Sequence, residues 1–183
     1  MANNVNTVEL ESSALDLGAT RAKVIRADEI KTDRRFRAMC EANACGVYGK
    51  CYMCPPDVGD IDEMMESLKQ YTWALVYQTV GMLEDSFDFE GMQEAGERHN
   101  RLAQNLRAAF KDKEIQNPLH LGAGGCRLCP RCAKIDNEPC RFPDAAMASL
   151  EAYGINVSEL AATAGMKYIN GTNTVTYFGA VFF

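Results

Sequence analysis

The sequence predicts an α/β fold: a mixed sheet of about four to five strands flanked by helices, with two cysteine-rich metal-binding loops and a C-terminal β-hairpin. Three observations carry this expectation. Short β-branched and aromatic runs alternate with segments of helical apolar period, the alternation typical of α/β domains. One run, Tyr71 to Val80 (YTWALVYQTV), is apolar almost without interruption, as a strand covered on both faces is. Glycine, proline and cysteine gather in two stretches, residues 40–59 and 122–143, leaving the rest to regular structure. At 183 residues the chain is long enough to bury a core without staples, and residues 1–183 read as one domain.

Residues 1–18 are polar with scattered Val8, Leu10, Leu15 and Leu17, enough for a short helix or a loosely held arm. Val24 and Ile25 mark a first strand within 22–30, and Asp28 or Thr32 is placed to cap a helix carrying Phe36 and Met39 toward Cys40. Asp60 caps a helix, with Glu63 three residues on and Ile61, Met64, Met65 and Leu68 along one side. Tyr71 to Val80 is then the central strand. Between about Asp88 and Glu114 a long amphipathic helix is marked by Leu102, Leu106, Ala109 and Phe110, and His99 reads as a surface or boundary residue on it. Asn117-Pro118 ends that helix, and PLHLGA forms a short strand entering the second cysteine loop, with His120 on a strand face. Asp144 caps a helix over AAMASLEAY closed by Gly154, and Asn156 or Ser158 starts another closed by Gly165. Asn170-Gly171 reads as the turn of a hairpin whose last strand is too hydrophobic for an edge.

The stretch GAGGCRLCPRCAKIDNEPCRFP, residues 122–143, holds Cys126, Cys129, Cys132 and Cys140 in a C-x2-C-x2-C-x7-C run. Three thiolates spaced by two residues wrap three corners of an iron–sulfur cluster, and a fourth farther along closes the last corner. A four-cysteine zinc site is the alternative, but it uses two separate C-x2-C knuckles, and here the middle cysteine belongs to both pairs. Gly124 and Gly125 allow close approach of backbone to a bulky ligand, and Arg127 and Arg131 sit where positive charge favours an anionic thiolate-held group. Lys134 and Arg141 add to that charge against Asp136 and Glu138, in a chain of net charge −6. The first group, Cys40, Cys45, Cys51 and Cys54, is irregular (C-x4-C-x5-C-x2-C) in a loop of glycine and proline. Four cysteines so close together in loop point to a metal rather than to packing. Cys45 and Cys54 are expected as ligands, Cys40 arrives from the end of the preceding helix, and Cys51, the variable member, is expected to bind as well, which closes the cluster and favours an electron carrier.

The segments YGKCYMCPP (Tyr48 to Pro56) and CRLCPRCAKIDNEPC…MASLEAYGINV (Cys126 to Val157) resemble a family of predicted metal-binding proteins, domain of unknown function 2284. The resemblance extends over nearly the whole chain and implies soluble, cysteine-rich, iron–sulfur proteins of anaerobic bacteria and archaea, with no reaction attached. Within that pattern Cys45 and Cys54 match by position, Cys40 lies farther from Cys45 than the earlier family cysteine does, and Cys51 falls where the pattern does not require one.

The N-terminus MANNVNTVELESSALDL has no signal-peptide pattern, so a cytoplasmic setting with reduced thiols is expected. No run approaches the roughly 18 apolar residues of a membrane span, and the acidic balance disfavours nucleic acid. Three functions remain in play: a carrier holding one or two [4Fe–4S] clusters for a redox partner protein, an enzyme whose open-iron cluster acts as a Lewis acid on a small sulfur- or oxygen-containing substrate, and a zinc module for structure or interaction.

Overall fold

The structure, a computed structural model, describes residues 6–111, 113 and 115–183. The helices and strands in chain order are α1 Thr7–Asp16, β1 Arg21–Arg26, α2 Arg35–Glu41, α3 Ile61–Ser67, β2 Trp73–Met82, α4 Phe89–Lys111, β3 Leu119–Gly122, β4 Ala148–Ser149, α5 Val157–Thr163 and β5 Thr174–Phe182. The strands form one sheet in the order β1-β2-β5-β3-β4. Only β3 and β4 run parallel; the other neighbours are antiparallel, with Leu75 opposite Val181 and His120 opposite the same Val181 on its other side.

Strand alternation divides the core in two. Leu75, Tyr77 and Val181 face α1 and α4, where Leu10, Ala14, Leu102, Leu106 and Phe110 close over them. Ala74, Val76, Phe178, Ala180 and Phe182 face the other way, under Met64 and Leu68 of the α3 segment and Leu160 and Ala161 of α5. The period of two in β2 and β5 is therefore what makes a three-layer sandwich. Tyr71 to Val80 is interior as expected, and the C-terminal strand is the middle of the sheet. Asp60 and Asn156 cap their helices, each side chain accepting from two backbone amides.

Several expectations give way. The C-terminal hairpin is absent among the described residues, because β5 has β2 on one edge and β3 on the other, which leaves no ladder for Lys167–Asn170. There Asn170 instead donates to the Lys167 carbonyl and to Thr176 Oγ1. The helix expected over AAMASLEAY is instead β4 and a single 3₁₀ turn, Glu151–Tyr153. The edge of β3 needs a partner, and Leu150 N supplies one further bond to the Gly122 carbonyl. Gly154 does close that turn at φ +71, in a niche where a Cβ would stand 2.9 Å from Met65 Sδ. Neither Asp28 nor Thr32 caps α2; Asp33 accepts from Arg35 N at 2.8 Å instead. His99 is fully buried rather than at the surface. The expected end of the long helix at Glu114 lies outside the described residues.

Candidate metal centre

The first cysteine loop is built outward from α2. Arg37 fixes that helix, its guanidinium donating to the Gly59 carbonyl at 2.8 Å and the Ala152 carbonyl at 3.4 Å. Cys40 thus sits at the end of a short helix with a defined seat. Asn43, Gly46 and Gly49 then turn the chain at positive φ, and Gly49 N donates to the Pro55 carbonyl at 2.9 Å, folding the loop back on itself. Cys45 is exposed, Cys40 and Cys54 are half-buried, and Cys51 is buried.

The second loop leaves β3 at Gly122. Gly124 takes φ +67, and a Cβ on Gly125 would lie 3.3 Å from Cys54 Sγ. The later part is held by Arg131 paired with Asp136 at 2.7 Å, by Arg141 Nη1 donating to the Arg131 carbonyl at 3.0 Å, and by the left-handed Asn137. All four cysteines of this loop are half-buried.

The loops meet at the carboxyl end of β3. Lys134 pairs with Asp57 across the junction, and Tyr52 Oη donates to the Glu138 carbonyl at 2.8 Å. Cys51 is turned into the second loop. Its thiol lies against Cys54 and Cys132, and the Cys54 thiol, then the Met53 and Cys126 amides, pull its pKa down to about 6 against burial. The same pairing raises Cys54, since one proton is shared between two sulfurs. Burial raises Cys40 and Cys126.

The thiols are arranged around cavities. Cys40, Cys45, Cys54 and Cys126 border one of about 790 Å³, whose walls include Phe36, Met39, Tyr48, Val157 and Tyr168. Cys126, Cys129, Cys132 and Cys140 together border a small cleft with Ala133 and Phe142. Cys51, Cys126, Cys129 and Cys132 border a groove of about 940 Å³ against α4. Among the described residues no three histidine, cysteine or acidic side chains converge on a point suited to a single metal ion.

The loop charges are largely consumed within the junction: Arg131, Lys134 and Arg141 each face an acid, and Arg127 is the member with no carboxylate partner among the described residues. Gly124 and Gly125 border the 790 Å³ cavity, and Arg127 and Arg131 border the groove against α4. His120 packs edge-on against Phe110, facing α4, and borders none of these spaces. What the sequence did not reveal was Arg37, Tyr52 and the Lys134–Asp57 bridge. Their partners lie 22 to 115 residues away, and no local spacing signals them.

A family profile described as predicted metal-binding protein (DUF2284) matches residues 23–183, both cysteine loops included. The chain belongs to this family. Residues 23–183 of this family member are thus a cysteine-rich, predicted metal-binding domain. No curated protein and no solved structure matches the chain. None of the described helices is long and apolar enough to cross a membrane.

Proposed function

We propose that this protein holds iron–sulfur clusters at the loop junction and acts as an enzyme on a small molecule bound beside the first of them. The observation that carries this reading is the division of the first group: Cys40, Cys45 and Cys54 border the 790 Å³ cavity, while Cys51 does not and instead borders the groove against α4 with Cys126, Cys129 and Cys132. The donor set fits such a group, because eight free thiols are gathered in two loops that touch. The C-x2-C-x2-C-x7-C spacing of the second loop favours a cluster over zinc, whose two knuckles would both claim the middle cysteine. In this reading Cys126, Cys129, Cys132 and Cys140 hold a closed cluster, and Cys40, Cys45 and Cys54 hold one with a corner left to the cavity. When bound, such a group supplies electron storage and, at an iron without a protein ligand, a Lewis acid.

The chain's own residues do the rest. Phe36, Met39, Val157 and Tyr168 present a largely apolar wall, and the hydroxyls of Ser149 and Ser158 border the same cavity. Gly125 lets the second loop lie directly against Cys54. A substrate with a sulfur or oxygen donor on a largely apolar body matches these walls. The cytoplasmic setting expected for such thiols belongs to the same proposal.

The test is protein purified without oxygen, assayed for iron, acid-labile sulfide and electron paramagnetic resonance. Cys129→Ala is expected to lose the second cluster, and Cys51→Ser to keep the iron content and spectrum of the parent. Loss of one cluster's iron in Cys51→Ser would return Cys51 to the first group and make the protein a closed electron carrier, the second reading. A colourless protein carrying zinc would overturn both.

A further inference from the structure

The groove of about 940 Å³ adjoins the apolar cavity, sharing Val47, Cys126 and Arg127 with it, and runs between the second loop and the exposed face of α4. Its lining differs in kind. Lys50, Arg101, Arg127 and Arg131 bring four cations to it and Glu97 one carboxylate, with Asn100 and Gln104 between them. In a chain of net charge −6 this is a local inversion of sign. Lys50, Arg101 and Arg127 have no acid within ion-pair distance among the described residues, so their charge is directed outward rather than spent on internal pairs. The groove floor includes Cys51, Cys126, Cys129 and Cys132.

We propose that this groove is the docking surface for an acidic one-electron carrier protein, the kind of partner whose surface is complementary to a cationic rim around a thiolate-held redox group. The choice of an electron carrier rests on the iron–sulfur reading; the choice of an acidic protein surface rests on the charge of the groove. Opposite charge steers such encounters and sets their register, and the attraction between exposed charges is screened by salt. The two adjoining spaces then have separate tasks, a polar cationic entrance toward α4 and an apolar chamber toward α5.

The experiment measures binding of a fluorescently labelled acidic ferredoxin, with basic cytochrome c as the control of opposite charge. Arg101 and Glu97 both stand on α4, outside the cysteine loops, so their substitution leaves the metal content as it is. Expected is binding of the ferredoxin and not of the cytochrome, weakening about tenfold or more between roughly 50 mM and 500 mM salt. Arg101→Glu is expected to weaken it about tenfold, and Glu97→Lys to tighten it; opposite signs at neighbouring positions are what a merely structural role does not produce. Affinity unchanged in both variants, insensitivity to salt, or preference for the cytochrome would overturn the proposal. So would tight binding of inorganic phosphate or adenosine triphosphate in the groove that the ferredoxin does not displace. Failure of the iron–sulfur reading is seen separately in the iron assay, because the charge of the groove resides in protein side chains and ferredoxin binding is scored with or without iron.

Discussion

Two histidines are buried, His99 completely and His120 to within a few per cent. His99 lies between the Tyr77 and Tyr177 rings with Nδ1 2.9 Å from Thr79 Oγ1, and burial pushes it down to about 4 against a weaker opposing pull from the Phe178 backbone carbonyl. His120 is pushed to about 4 as well, by burial first and then by the Arg107 charge. Both are therefore neutral in the folded protein at neutral pH. In the unfolded chain each takes a proton near pH 6.5, so the unfolded state binds more protons between about 6.5 and 4, and stability falls as pH is lowered through that window. At pH 5 the loss relative to pH 7.5 should be about 2 kcal/mol for each histidine, on the scale of 1.4 kcal/mol per pH unit. Nuclear magnetic resonance titration of the two imidazoles checks it directly, and a midpoint above 6 for either one would remove that residue from the account. The pattern of the sequence placed His99 within a helix, but only the docking of α4 on the sheet decides that its face is turned inward.

At the scale of elements, α4 and α2 are held in opposite ways. Helix α4 is seated by apolar burial, with Leu106 fully enclosed and Leu102 and Phe110 beside it. Leu106→Ala should cost about 2–5 kcal/mol in urea denaturation, the range for emptying a closed core site. Helix α2 has no buried residue and hangs largely on the Arg37 guanidinium. Arg37→Ala is expected to leave global stability nearly intact while raising hydrogen exchange across residues 35–41, and with it the mobility of Cys40. Exchange rates there that stay at the parent level would show that the loop, not Arg37, holds the helix. The cap at Asp60 is intermediate in kind: replacing its carboxylate with alanine should cost about 1 kcal/mol.

For the whole molecule, the consequence of the two-loop junction is that each loop is scaffold for the other. Lys134–Asp57, Tyr52–Glu138 and the contact of Gly125 with Cys54 all cross between them. A metal group held by either loop adds its binding free energy to the folded form of that loop, and the contacts between the loops pass that support to the other. Removing metal with a chelator under reducing conditions should therefore open residues 40–59 and 122–143 to protease together, while β2, β5 and α4 remain protected. Cleavage of one loop with the other intact would mean that the loops are independent, and a uniform collapse of the sheet would mean that the metal supports the core itself.

The sequence alone determined the layer order of the fold, because the signals are local: the continuous apolar run of β2, the 3- and 4-residue steps of α4, the caps at Asp60 and Asn156, and the cysteine spacings with their glycines. It marked the candidate site in the same way, by the spacing of the cysteines within each loop. What it misassigned were segments whose structure depends on a distant edge. The Ala148–Ser149 strand exists because β3 has an open side, and the C-terminal hairpin is absent because β5 has none. Only the tertiary structure brought the two cysteine loops together, set Cys51 along one groove with Cys126, Cys129 and Cys132, and left an apolar cavity next to a cationic groove. Spacing along a chain specifies what a loop can wrap, whereas the direction a buried thiol faces is set by the packing of loops that meet only after the sheet has formed.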